Sequence, residues 1–325
     1  MKRRTFVGGT GAAAAVASGL VGMPAIAQLK NDIRFFCGFP PGGTADLLTR
    51  LLADGVGPIL GQKAIAESKT GASGFIANET VAKSAPDGHT VLLAAMAAFC
   101  VSPVMPGQKL PINVDKDLTP ISNVAGVYNM LVVGKHVPLR TVPDIVDYAK
   151  KNPGKLSYAS AGNGTSQHLA GELFKKMAGV DMLHIPYRGG APAIQDIVAG
   201  NVHLMLGNMP EFLGQLRGGN LMPIAFGSPK PSPLYPDLPT IGKFLPGFEV
   251  VNWFAVFGPG GLPADLVALW NAALAKAVAH PEMQKRFLES GMETLTGPVE
   301  QLKAAIAKDR AKWSEVIKSA GMRAD

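Results

Sequence analysis

The chain has 325 residues, 47% hydrophobic and 17% charged, with 31 Lys plus Arg against 24 Asp plus Glu for a formal net charge of +7. This composition excludes a disordered or low-complexity chain and fits one large or two medium cores, with length favouring two domains. Two cysteines, Cys37 and Cys100, are too few for a disulfide framework, and the basic excess lacks the stripe or interleaved aromatics of a nucleic-acid binder.

Lys2-Arg3-Arg4 precedes an apolar Ala/Gly-rich stretch, Val7 to Val21, and the small residues Ala25-Ile26-Ala27. This order reads as a secretory signal, residues 1–27, cleaved near Ala27-Gln28. Arg3-Arg4-Thr5-Phe6-Val7 points to the twin-arginine route; an ordinary signal with an incidental Arg pair is the alternative. Cleavage takes Lys plus Arg from 31 to 28 against 24 acidic residues, so the mature charge is +4. That modest excess favours an anionic small ligand. No later segment reaches the roughly 18 apolar residues of a membrane helix, so a periplasmic location is expected.

Strand Ile33–Phe36 leads into Phe39-Pro40-Pro41-Gly42-Gly43-Thr44-Ala45-Asp46, then a helix over Thr44–Leu60, strand Ala64–Glu67, helix Phe75–Lys83 and strand Thr90–Ala95. This alternation predicts parallel pairing with helices on both sheet faces. Pro103, Pro106, Pro111 and Pro120 mark a linking region, and Val124–Gly134 holds an apolar run, Met130–Val133, that reads as a crossing strand. Thr141-Val142-Pro143-Asp144 is a helix start. Strands at Leu156–Ser160, Met182–Pro186, Val202–Leu206 and Met222–Phe226 then alternate with helices at Thr165–Met177, Ala191–Ala199 and Glu211–Leu216. After a Pro-rich loop, Ser228–Pro239, come strand Val250–Phe257 and helices Pro263–Ala279, Pro281–Ser290 and Val299–Ala320. The expected architecture is α/β and two-lobed: residues 28–126 plus 250–325 form one domain and 127–249 the other, with crossings near Tyr128 and Trp253.

The two strand–glycine loop–helix segments carry the chemistry. The second is Ser160-Ala161-Gly162-Asn163-Gly164-Thr165-Ser166. A helix N-terminus with free N–H groups and a hydroxyl suits an anion, so two of them suggest a ligand gripped from both lobes. Taken alone, Thr44 and Asp46 also read as a simple cap pair. Neither loop has the Lys of a phosphate loop or the dinucleotide fingerprint. Arg188, at a strand end bordering the crevice, is either a carboxylate fork or a surface charge. Phe39, Phe99 and Tyr187 read equally as pocket lining or core, and His168 as cleft-facing or bonded within its own helix. The six His residues show no metal-ligand spacing, so no metal or cofactor is expected. Cys37 and Cys100, read at strand ends, are either two buried thiols or a bridge. Tyr158-Ala159-Ser160-Ala161-Gly162 nearly matches a nucleophile elbow but lacks its first Gly. It leaves an exported hydrolase using Ser160 with His168 or His184 as the rival class.

Phe39–Asp46 resembles the first-loop signature of the Bug family, the extracytoplasmic solute receptors of tripartite tricarboxylate transporters. Further similar segments are Gly71-Ala72-Ser73-Gly74, Ala85-Pro86-Asp87-Gly88-His89-Thr90, Asp117-Leu118-Thr119-Pro120-Ile121, Ser157–Gly162 with Gly164-Thr165 and His168-Leu169, His184-Ile185-Pro186-Tyr187-Arg188-Gly189, and Leu238-Pro239-Thr240. They run in the family's order across the mature chain. Glu67-Ser68-Lys69-Thr70, His89 and His203 depart from its usual residues. The resemblance implies a type II periplasmic-binding-protein fold, the Venus flytrap, and no enzymatic activity. It also implies a small carboxylate ligand held by backbone amides and hydroxyls. The contacts it implies are Phe39, Gly43, Thr44, Asp46, Gly164, Thr165 and Ser166, with Ala98 and Arg188 as further candidates. Its implied partners are membrane permease subunits, with the receptor a monomer; a ligand-sensing partner of a membrane sensor kinase is the alternative role.

Overall fold

The molecule is built on two β-sheets joined by two crossings of the chain. The computed structural model describes residues 29–324; the leader expected over 1–27 lies outside them. In chain order the elements are β1 (Ile33–Cys37), α1 (Thr44–Leu60), β2 (Ala64–Ser68), α2 (Phe75–Ala82), β3 (Thr90–Ala95), α3 (Ala97–Cys100) and β4 (Leu118–Val127). Then come β5 (Asn129–Gly134), α4 (Val142–Lys151), β6 (Ser157–Ser160), α5 (Ser166–Ala178), β7 (Leu183–Pro186), α6 (Gly190–Ala199), β8 (Leu204–Asn208), α7 (Met209–Arg217) and β9 (Leu221–Phe226). The chain closes with β10 (Asn252–Pro259), α8 (Ala264–Ala279), α9 (Pro281–Glu289), β11 (Met292–Thr294) and α10 (Val299–Ala320).

The first sheet runs β11-β4-β10-β3-β1-β2 and the second β7-β6-β8-β5-β9. The chain passes from the first to the second at Tyr128 and returns between Phe226 and Asn252. Both sheets are mixed. β1 pairs in parallel with β2 and β3, as the β-α-β-α-β order implies, whereas β10 runs antiparallel to β3 and β4. In the second sheet β6 is parallel to β7 and β8, and β5 is antiparallel to β8 and β9.

α1 forms where Leu48, Leu51, Leu52 and Val56 recur on one buried face. It stops at Gly61, whose φ of 67° makes the left-handed cap. α4 starts with a capping box: the Thr141 side chain accepts from the Asp144 N–H, and the Asp144 carboxylate accepts from the Thr141 N–H. One apolar cluster packs α1, α8 and α9 on the first sheet, and another packs α6 and α7 on the second. The largest runs continuously between the sheets through Phe248, Trp253 and Trp313. α10 lies against α3 and β4 and reaches α5, and Asp309 on it accepts from Trp253 Nε1 at 2.7 Å.

Two readings of the sequence are corrected. Pro120 belongs to strand β4, not to a linker. It pairs with Phe257 beside a register shift, and β11 reaches only as far as Ala125, so its missing N–H breaks no ladder. The apolar run Met130–Val133, expected as a crossing strand, is the body of β5, which follows the end of β4 and Tyr128. Cys100 sits on α3, not at a strand end. Both thiols are buried and free, and burial pushes the Cys100 thiol up.

Candidate functional site

A cavity opens between the sheets at the carboxyl ends of β3, β6 and β8, where crevices form in open α/β sheets. The first-loop segment enters it from one side with Gly38, Phe39, Pro40, Gly43, Thr44 and Ala45. Gly42, with φ 88°, supplies the left-handed turn that aims Gly43 and Thr44 inward. The second loop enters opposite, with Ala161, Gly164, Thr165, Ser166 and Gln167. Leu93, Ala94, Ala95, Ala97, Ala98 and Phe254 make an apolar floor. α1 and α5 thus both begin at the cavity, so free backbone N–H groups approach it from both lobes.

Of the residues singled out from sequence, Phe39, Gly43, Thr44, Ala98, Gly164, Thr165 and Ser166 line this cavity. Asp46 does not. Its carboxylate accepts from Gly42 N–H at 3.2 Å and from Arg50 Nε at 3.0 Å, so it holds the first loop in shape. Arg188 lies on an adjoining outer cavity with Tyr187, Pro40 and Gly162. Phe99 is core, stacked on Phe257 with centroids 3.8 Å apart. The Thr165 hydroxyl donates to Gly162 O at 2.7 Å, which closes the second loop on itself.

Sequence reasoning passed over several lining groups: Ser73, Asn78, Ser102, Gln167, Asn208, Glu211 and Asn252. Glu211 lies in the first turn of α7, directly after the end of β8, so the strand-end rule that picked out Arg188 also marks this segment. Its Oε1 accepts from the Thr44 hydroxyl at 2.9 Å and from Asn208 Nδ2 at 3.3 Å. Burial of this carboxyl raises its pKa, against hydrogen bonds from Thr44 and Asn208 that favour the charged form. Two more contacts join the lobes. Ser73 Oγ donates to Asn163 O at 2.9 Å, and Asn252 Nδ2 to Asn208 Oδ1 at 2.9 Å. Glu211 Oε2, Asn78 Nδ2 and Asn252 Oδ1 are buried around the cavity with no hydrogen-bond partner in the protein, as groups set to meet a ligand are.

Ser160 hydrogen-bonds to His184 Nε2 at 2.7 Å. Ser160 is 0% exposed, His184 is half-buried, and neither residue lines the cavity. His184 is stacked between Tyr158, at 4.8 Å, and His168, at 4.1 Å. His168 Nδ1 accepts from Gly164 N–H at 3.1 Å, so it is bonded at the N-terminal end of its own helix. Among the described residues no group of His, Cys, Asp and Glu could hold a metal ion.

Residues 48–322 match the family model described as the tripartite tricarboxylate transporter family receptor. The chain belongs to this receptor family. It is 34% identical over 290 residues to a UPF0065 protein encoded between tcbD and tcbE in Pseudomonas sp. strain P51, covering 89% of this chain and 86% of that one. It is 31% identical to protein BugT of Bordetella pertussis, with 90% of each chain covered. Among solved structures, the R. palustris protein Rpa4515 with adipate superposes with a TM-score of 0.87 at 32% identity, covering 90% of this chain and 98% of that one. The periplasmic binding protein BugD superposes at 0.86 and 31% identity, covering 91% and 99%. MatC of Rhodopseudomonas palustris, with bound malate, superposes at 0.82 and 28% identity, covering 88% and 99%. The fold is therefore that of the two-lobed periplasmic binding proteins. No helix among the described residues is long and apolar enough to cross a membrane.

Proposed function

We propose that the chain is an extracytoplasmic solute receptor that takes a small carboxylate into the cavity between its lobes and performs no chemistry on it. One observation carries this reading: two helix N-termini, at Gly43-Thr44 and Gly164-Thr165-Ser166, meet across one apolar-floored cavity. Backbone N–H groups at such ends bind an anionic oxygen without a cation beside it. Relatives of the same fold that hold adipate and malate support the assignment.

In this account backbone N–H groups at Gly43, Thr44 and Ser166 hold carboxylate oxygens, Gly164 and Thr165 shape the second loop through their bonds to His168 and Gly162, and Phe39 and Ala98 flank the ligand's carbon chain. Asp46 acts through the loop it braces, and Arg188 attracts the anion from the rim. The lobes are residues 28–126 plus 250–325 and residues 127–249, and they close about Tyr128 and the 227–251 return. Closure stabilises the loaded state through contacts that exist only when both lobes meet. The loaded receptor, a monomer exported by the twin-arginine route, docks on membrane permease subunits.

Native mass spectrometry of freshly purified protein tests the assignment. A carboxylic acid released on denaturation supports it. A bound amine or sugar would point to a different ligand class.

A further inference from the structure

The ligand cavity contains one titratable side chain, Glu211, and no Lys, Arg or His among its described lining residues. That is an awkward place for a second negative charge. Two carboxylates sharing a buried site do not both stay ionised without a cation. Four elements surround the Glu211 carboxyl: α1 gives Thr44, α5 gives Gln167, β8 gives Asn208, and α6 gives Gly190, where an added side chain would overlap Oε2. None of these groups is charged. The nearest charges along the same elements are engaged or outside: Asp46 pairs with Arg50, and Arg188 lines the outer cavity. His168 lies one residue beyond Gln167, bonded to Gly164 N–H and stacked on His184. Oε1 is taken by Thr44 and Asn208, while Oε2 is buried beside the cavity without a partner in the protein.

Building on the receptor reading, we propose that Glu211 meets the ligand as a neutral carboxylic acid whose Oε2–H donates to a ligand carboxylate oxygen, so that the receptor captures its anion only with Glu211 protonated. Glu211 is then a specificity-determining residue. It selects an acceptor oxygen and leaves an ammonium without a counter-ion. Burial acts in the same direction, since it favours the neutral acid. No proton is transferred to the ligand; the proton stays on Glu211 and is shared through the hydrogen bond.

The experiment uses the full chain with adipate, malate and glutamate as probes, by titration calorimetry from pH 6 to 9. The Glu211 carboxyl is followed by carbon NMR of the ligand-free protein, its resonance assigned by its loss in Glu211→Gln or, should that variant not fold, Glu211→Met. A protonated resonance at pH 7 is expected. Affinity for a dicarboxylate should fall about tenfold per pH unit above the Glu211 midpoint, as one linked proton requires. In Glu211→Gln, which keeps a donor but cannot titrate, affinity should stay within about threefold across the range. An ionised Glu211 at pH 7, a flat wild-type profile with measurable binding, or tighter glutamate binding as the pH rises overturns the proton-donor role alone. Failure of all three probes at every pH in folded protein overturns the receptor reading and this inference with it.

Discussion

The Thr44 hydroxyl, at the start of α1, donates to Glu211 Oε1 across the interlobe cavity at 2.9 Å. Thr44 is 2% exposed, so the bond forms away from water, where a lost partner is costly. It ties the first loop of one lobe to the first turn of a helix in the other. Removing it loosens closure and leaves Glu211 Oε1 with only the Asn208 amide as donor.

Thr44→Ala should therefore weaken carboxylate binding by roughly tenfold, about 1.4 kcal/mol, within the range for a buried hydrogen bond to a polar or charged group. Thermal unfolding should shift by only a few degrees. Calorimetry on the two proteins checks this; equal affinities would make Thr44 an inert residue of the helix start.

Ser73 sits in the left-handed region at φ 52°, and its Oγ reaches Asn163 O in the other lobe. A non-glycine residue there stores roughly 1–3 kcal/mol of strain. Ser73→Ala keeps the strain and loses the interlobe bond, so binding should weaken about fivefold. Ser73→Gly loses the same bond but relaxes the backbone, and should melt higher than Ser73→Ala. Identical melting temperatures for the two variants would argue against strain at this position.

Ser160 and His184 have the separation of a nucleophile and its base, yet neither lines the cavity. Ser160→Ala should lower stability by about 1 kcal/mol through the lost hydrogen bonds to His184 and Gly162. It should leave carboxylate affinity within about twofold. Neither protein should hydrolyse p-nitrophenyl esters; turnover that disappears in Ser160→Ala would revive the hydrolase reading.

His203 Nδ1 accepts from Ser157 N–H at 3.1 Å. Burial, with the nearby His136, holds its pKa below the ordinary value of 6.5. The folded state thus binds fewer protons than the unfolded chain, so this stability is complete above pH 6.5 and drains as the pH falls below it. One proton limits the slope to about 1.4 kcal/mol per pH unit. Urea unfolding from pH 7.5 to 5 should show a shallower decline in His203→Gln than in wild type. Parallel curves would remove His203 from the account.

The sequence made elements legible where start and stop signals are local. α1 begins at Gly43-Thr44 and ends at Gly61, and the expected range Thr44–Leu60 is the observed one. β4 was obscured because Pro120 signals a break and only tertiary context supplies the register shift that accommodates it. β11 has three residues and pairs with β4 alone, too short for a period to show. In the site, the glycine loops announce themselves by composition. Glu211 does not, because its meaning depends on burial against α1 and α6, elements distant in sequence. Asn78 and Asn252 are silent for the same reason: an amide in a helix or a strand carries no local mark of facing a cavity.

The most direct test of the central claim is titration calorimetry of the ligand-stripped protein against C4 to C6 dicarboxylates at pH 6.5. The account predicts one-to-one binding by at least one of them, lost or weakened at least tenfold when Thr44 and Ser166 are both changed to Ala. No heat from any dicarboxylate, in protein that unfolds cooperatively, would contradict it.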